Sequence, residues 1–392
     1  MMKRFFRLTA LLLALCMPLG LIVHGEAQSE VRLVGLNIGK ADCLLLLWQD
    51  RAYLIDTGYA QTYPALETAL SQYGVSHLNG VFLTHCHKDH QGGLMPLAQS
   101  RIAVDAWYAS PIYYDIDKEG HPAVLAAAVR NEAVTWLSAG DVIDCGGGAS
   151  FTVLGPLTVN EENENNNSLV MRFSSPAGSI LLTGDMKEEE EAALLASDLL
   201  AECDVLKVGH HGDNKATSAE MLKAVKPQIA LILTSTQEEP DTPAASTVKR
   251  LQDIGCAVHV SQQYSDAMLL TLQNGTAVVT DVKWSDIPER IRGVALSIDL
   301  NDDTVTLKNT FDAAVTLSGC SLFSTKGDET LSLPDITLAA GQTYIIGTKS
   351  TQGSMDCQWD DKKVWNKNKR DMAILYDAWG RALARTDNGL SE

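Results

Sequence analysis

The chain has 392 residues, 45% hydrophobic and 20% charged; these are ordinary globular values that exclude a disordered chain, and the length exceeds one ordinary core, so two domains are expected. A formal net charge of −18 repels polyanions and argues against stable, extensive wrapping of nucleic acid, while leaving room for a small local basic patch. The eight cysteines are scattered and include no C-x-x-C pair, which excludes a dense disulfide framework.

Residues 1–27 read as a removable secretory signal. Lys3, Arg4 and Arg7 precede an apolar run from Leu8 to about Val23, and Gly25 and Ala27 supply the small residues of a cleavage site. The run is short for a stable span, so an uncleaved membrane anchor is the alternative. Cleavage would lower the basic count from 31 to 28 and the acidic count from 49 to 48, a net charge near −20. The expected location is therefore secreted or cell-surface.

From Val31 to about Asp281, short apolar strands alternate with helical patterns. VRLVGLNIG, CLLLLWQ and RAYLIDTG read as consecutive strands, and YPALETALSQYG as a helix with Leu66, Leu70 and Tyr73 on one face. VFLT is a strand, NEENENNNS a surface loop, and KEEEEAALLASDLL an acidic amphipathic helix. CDVLKVG and IALILTS are strands around the helix SAEMLKAVKP, for which Ser218 is the expected N-cap. STVKRLQDIG is a helix, followed by the strands AVHV and AMLLTL. This order predicts an α/β domain over residues 28–285, two mixed sheets between helices (αββα). A break at KWSDIPERIRG leads into strands only over residues 290–392, an all-β sandwich. DITLAAGQTYIIG and MAILYDAWGRALAR read there as hairpins, the second turning at Asp377–Gly380.

One stretch concentrates chemistry. THCHKDH places His85, His87, Asp89 and His90 just after a strand, where loop side chains converge at a sheet edge. Imidazoles and carboxylates suit zinc, manganese and iron, and two of each can hold a pair of ions. Such a pair activates water and stabilises displacement at phosphorus. Cys86, between two of these histidines, is expected to point away from them.

THCHKDH resembles the H-x-H-x-D-H signature of the metallo-β-lactamase superfamily. LNIGKADCLLL, YLIDTG, SLVMRF…SILLTGD and CDVLKVGHHGDNKATSAEMLKAVKP are similar in order to the other segments of its ComEC-type branch, exported hydrolase domains of DNA-uptake proteins. The resemblance implies two divalent metal ions, zinc or manganese. His85 and His87 would hold one ion, Asp89 and His90 the other, with Asp185 bridging. His210 or His211 would complete the second site, and a strand reading of VLKVGHH puts these two on opposite faces. Asp89 and Asp185 are the catalytic candidates, and Asp42 and Asp56 would orient ligands through hydrogen bonds. Two departures stand out. His121 comes too early in the order to complete the first site, and Asn167 in NNNSLV stands in the branch's asparagine-rich stretch, a weak ligand or substrate contact. Thr242 replaces a histidine of the branch, and Asp213 a serine.

The C-terminal segment resembles the lamin-tail fold, immunoglobulin-like, with KVWNKNKRDMAILYDAWGRALA matching that family's ending apart from Arg370. Trp365 and Tyr376 read as core residues, and cell-envelope attachment or spacing as the domain's role. The resemblance implies an exported hydrolase of phosphodiester bonds acting through a metal-activated hydroxide, on DNA or a cell-surface phosphodiester. The alternatives are a surface-binding protein with a degenerate hydrolase domain and, ranked below it, a true β-lactamase.

Overall fold

A computed structural model describes residues 29–114, 116–285 and 287–390; the secretory signal expected over residues 1–27 lies outside the described residues. Two sheets stack face to face. In chain order, Glu30–Leu36, Leu44–Trp48 and Arg51–Ile55 form an antiparallel meander at the centre of an eight-stranded sheet. It continues in parallel through Gly80–Leu83, Trp107–Ala109 and Val134–Trp136, and is closed on the other side by the hairpin Ala267–Gln273 and Thr276–Val282. The second sheet has seven strands, of which Gly178–Leu182, Val205–Lys207, Ile229–Ile232 and Ala257–Val260 run parallel.

The continuous apolar runs in these strands follow from burial on both faces. Leu33, Leu46, Trp48, Phe82, Phe151 and Phe173 fill the space between the sheets. Helices Tyr63–Gln72, Leu94–Gln99 and Pro122–Val129 cover the outer face of the first sheet. Glu188–Ala196, Ala219–Val225 and Ala245–Asp253 cover the second. The architecture is αββα, and Ser218 caps its helix by accepting from the Met221 N–H at 3.1 Å.

Parallel strands from both sheets end on one side of the sandwich, the usual position for a site in such sheets. Leu83, Leu182, Lys207 and Ile232 are their last residues, and the chain beyond each bears candidate side chains.

The C-terminal region is strand-rich. Val294–Asp299, Thr304–Asn309, Thr343–Gly347 and Cys357–Gln358 form one sheet, and Glu329–Ser332, Ser321–Ser324, Met372–Tyr376 and Ala382–Asp387 another. Val305, Leu322, Trp359, Trp365 and Leu375 lie in the core they share. The Met372–Tyr376 and Ala382–Asp387 strands pair as a hairpin through a turn in which the Gly380 N–H donates to the Asp377 carbonyl. DITLAAGQTYIIG is not a hairpin. Ile336–Leu338 pairs with Val315–Leu317, whereas Thr343–Gly347 pairs with Thr304–Asn309; the segment turns a corner between sheets, which alternation alone does not distinguish from a hairpin.

Two further expectations are corrected. NEENENNNS is not simply a surface loop: Asn165, Asn166, Asn167 and Ser168 are buried, and the side chains of Asn166, Asn167 and Ser168 satisfy neighbouring backbone and carboxylate groups. The helix Glu188–Ala196 buries Glu190 and Glu191, which accept hydrogen bonds from the backbone N–H groups of Leu157 and of Thr217 and Ser218. Among the described residues all seven cysteines are free, and no helix is long and apolar enough to cross a membrane.

Candidate metal centre

Asp89, His90, Asp185 and His211 meet at the sheet ends with one donor atom of each within 4.8 Å of the others. His90 Nε2 and His211 Nε2 lie 3.2 and 3.3 Å from Asp185 Oδ2, and His211 Nε2 lies 3.3 Å from Asp89 Oδ2. Four donors placed tetrahedrally at about 2.1 Å from one ion are about 3.4 Å apart, so the spacing fits a cation. Buried His90 Nε2, His211 Nε2 and Asp185 Oδ1 lack hydrogen-bond partners. Buried polar atoms are normally satisfied, so these orphans fit the metal that the donor set suggests.

Local structure aims each group. Thr84 ends the strand run, and Asp56 accepts from its N–H at 2.8 Å and from its hydroxyl at 2.7 Å. The same carboxylate is 2.8 Å from His90 Nδ1, which directs His90 Nε2 inward. His211 Nδ1 is 2.7 Å from the Leu233 carbonyl, which fixes the opposite ring nitrogen in the same way. Asp185 is set by a tight turn: its N–H donates to Ser168 Oγ at 3.0 Å, and a Cβ on Gly184 (φ +51) would fall 2.9 Å from the Thr84 Cβ. Only glycine allows that approach at that backbone angle.

The strand reading of VLKVGHH does not hold through its histidines. The strand ends at Lys207, and His210 and His211 adopt left-handed conformations with φ of 43° and 54°. Two such residues in succession store strain of order 1–3 kcal/mol each, and both imidazoles turn toward Asp185. His211 is buried at 3.3 Å, while His210 Nε2 is 3.9 Å away and 3.3 Å from Asn165 Nδ2.

The other half of the cleft is looser. His85 is buried and His87 exposed. Their facing nitrogens are 2.9 Å apart, and His85 Nε2 is 3.9 Å from Asp185 Oδ2. Cys86 packs against the outer apolar core, and burial pushes its thiol pKa up.

Charge in the pocket is unbalanced. Asp42, Asp56, Asp89 and Asp185 are all buried. Against them stand Lys207, fully buried with Nζ 2.6 Å from Asp42, and Lys40, with Nζ 3.9 Å from Asp89. Burial opposes charge on His90, but Asp185 and Asp56 hold its pKa well above the usual range. Burial likewise opposes charge on His211, which Asp185 and its neighbours raise to about 9. Burial would raise Asp185, but His211 and His90 hold it well below. Burial, with the neighbouring His90 and His87, keeps the His85 pKa well below the usual range, and burial brings His210 down to about 4 despite Asp185.

Other candidates fall elsewhere. Asn167 does not reach the metal cluster: it clamps its own loop through the Asn160 N–H and carbonyl and Glu164. Asn165 is the asparagine that faces His210, and the run of three identical residues gave no means of choosing between them. Thr242 is buried and bonded to Thr234 and the Glu239 carbonyl. His121 caps the helix Pro122–Val129 and packs on Tyr113 and Trp136. Asp213 is 3.7 Å from Lys187 and 3.8 Å from His210. The sequence reading missed Lys40 and Lys207; a lysine inside the apolar strand VLKV was the available signal for the second.

The family model of the metallo-beta-lactamase superfamily matches residues 38–236, half of the chain. The chain belongs to the metallo-beta-lactamase superfamily. It is similar to the competence-protein branch of that superfamily. ComE operon protein 3 of Bacillus subtilis (strain 168) is 26% identical over 278 residues, covering 65% of this chain and 34% of that protein. Competence protein ComA of Neisseria gonorrhoeae is 26% identical over 208 residues, covering 52% and 27%. This hydrolase-superfamily chain thus spans about a third or less of the curated relatives it matches. Among solved structures, the diiron β-hydroxylase CmlA from Streptomyces venezuelae aligns with a TM-score of 0.44 and 11% identity over 63% of this chain and 54% of that one. A diphosphatase of the PhnP family aligns at 0.38 and 15% over 62% and 98%.

Proposed function

We propose that this chain is an exported, metal-dependent phosphodiesterase. The observation that carries the reading is the buried cluster of Asp89, His90, Asp185 and His211 with its orphaned donor atoms. Asp89, His90, Asp185 and His211 hold one divalent ion, zinc or manganese, which suit this mixed nitrogen and oxygen set. His85, His87 and Asp185 hold a second, with His210 and Asn165 beside it. When bound, such ions acidify water and neutralise charge on phosphoryl oxygens.

The chain's own residues prepare that chemistry. Asp56 and the Leu233 carbonyl fix the His90 and His211 tautomers, and Lys207 offsets the Asp42 charge. Lys40 is largely buried beside Asp89, and its ammonium faces the cleft as a partner for a phosphoryl oxygen. Export is part of the same reading, supported by the charge and apolar pattern of residues 1–27; fractionation into culture medium, envelope and cytoplasm checks it.

Metal analysis of the purified protein, with hydrolysis of bis(4-nitrophenyl) phosphate by wild type and His87→Ala, tests the proposal. Bound metal and turnover that falls in the variant are expected, and DNA against small phosphodiesters then sorts the substrate. A protein without metal would sink the reading. Metal without hydrolysis across a broad ester panel would favour the surface-binding alternative.

A further inference from the structure

The C-terminal region is fastened to the rim of the metal cleft. Lys88, between the ligand candidates His87 and Asp89, donates to the Thr325 carbonyl at 2.5 Å. The Tyr59 and Phe323 rings meet at 5.8 Å, and Gln61 donates to the Thr330 hydroxyl at 2.6 Å. A further joint is made at Glu238, in the loop after the strand Ile229–Ile232.

The Glu238 side chain is only 6% exposed. Its Oε2 accepts from the Lys40 N–H at 2.8 Å, and its Oε1 from Arg385 Nε at 2.7 Å. Arg385 also donates to Gln237 Oε1 at 3.0 Å, and Arg370 donates to the Glu238 carbonyl at 3.1 Å. Both arginines belong to the C-terminal hairpin. Arg385 lies in Ala382–Asp387 opposite Ile374, and Arg370 just precedes Met372–Tyr376. The carboxylate rests directly on the Gly39–Lys40 turn: a Cβ on Gly39 (φ +89) would collide with both of its oxygens.

That turn carries a residue of the cleft. Lys40 Nζ is 3.9 Å from Asp89 Oδ2, and the Asp42 N–H two residues on donates to the Asp89 carbonyl at 3.1 Å. Glu238 therefore fixes the backbone of the lysine whose ammonium faces the metals. Glu238 and Glu239 attract that ammonium from one side, as Asp89 and Asp185 do from the cleft. An uncompensated Glu238 carboxylate would draw it away from the cleft; the Arg385 guanidinium supplies the compensating charge. Arg370 is shared with Asp387 at 3.6 Å. Lys326 and Asp371 complete the charged wall of the cavity of about 160 Å³ beside Lys40, and Asp371 accepts there from the Ser324 hydroxyl and the N–H groups of Lys326 and Asn366.

We infer that Glu238 and Arg385 are positioning residues that hold Lys40 over the metal cleft, so that the C-terminal region takes part in recognising the anionic substrate. This rests on the phosphodiesterase reading, in which the Lys40 ammonium meets a phosphoryl oxygen. It gives the strand-rich region a part in the reaction itself, apart from any role in attachment.

The test is steady-state hydrolysis of bis(4-nitrophenyl) phosphate by the full-length protein with its metal. Lys40→Ala is expected to raise KM about tenfold, the worth of one charged hydrogen bond. Arg385→Gln should raise it about fivefold, with kcat within about twofold of wild type and metal content unchanged. Arg385→Lys returns a point charge to Glu238 without the guanidinium fork and should bring KM back within about twofold. Gly39→Ala displaces Glu238 from the opposite side and should raise KM by a factor similar to that of Arg385→Gln. Lys40→Ala combined with Arg385→Gln should be no worse than Lys40→Ala, because the arginine acts through that lysine. A mere structural brace would lower metal content or kcat, and its effect would add to that of Lys40→Ala; either result overturns the inference. Hydrogen exchange at the Lys40 amide reads the positioning without turnover. It should run at least about tenfold faster in Arg385→Gln, and unchanged protection would also overturn the inference. A wild type that hydrolyses no phosphodiester would sink the catalytic reading, while exchange at Lys40 still decides the positioning.

Discussion

The two halves of the metal cleft share Asp185 but are built differently. The half around His90 and His211 is buried, and each imidazole has its outer nitrogen held by an acceptor, Asp56 or the Leu233 carbonyl. In the half around His85 and His87, one ring is exposed, and the contacts include a hydroxyl 3.2 Å from His85 Nδ1 and the other imidazole. Ligand identity is similar in the two; outer support is not. Orientation by surrounding groups commonly changes metal affinity by about 10–100-fold, so the first half should bind an ion tightly and the second weakly.

Asp185→Asn attacks what both halves share and should have the largest effect. Hydrolysis should fall by about three orders of magnitude and metal content should drop below that of wild type; unchanged turnover would break the comparison outright. Next comes Asp42→Ala, which strands the fully buried Lys207 ammonium. The expected loss is about 3–5 kcal/mol in denaturant unfolding, and a loss under about 1 kcal/mol would mean that the ion pair does not brace the supported half. Asp56→Ala should weaken only the tight class of metal by about 10–100-fold, read by competition with a chromogenic chelator; weakening of the loose class instead would reverse the assignment.

The smallest effect is a pH dependence outside the cleft, at a histidine that is structural. Burial lowers the His121 pKa to about 4. On acidification from about 6.5 the unfolded chain takes up this proton first, so stability is lost between about pH 6.5 and 4, by on the order of 2 kcal/mol. His121→Gln should flatten that part of the stability profile, while metal content at neutral pH should be unchanged.

What the sequence made legible follows the same division. The periodic apolar runs that place the strands and most helices also place Thr84 and its following ligands at a sheet end, because a strand of alternating or continuous apolar residues has few other homes. The Ser218 cap and the Asp377–Gly380 turn were readable for similar local reasons. The inward turn of both His210 and His211 was not, since two left-handed residues other than glycine have no propensity signal. Nor was the choice of Asn165 over Asn167, which depends on how a buried loop closes on Asn160 and Glu164. The corner at Ala339–Gln342 was missed because pairing partners far along the chain, not the local pattern, decide between a hairpin and a change of sheet.

The most direct test of the central claim is a metal titration of the wild type beside His211→Ala and His87→Ala. Two classes of site are expected in the wild type, the tight class lost in His211→Ala and kept in His87→Ala. A single class in the wild type, or a tight class that survives His211→Ala and disappears in His87→Ala, would contradict the account.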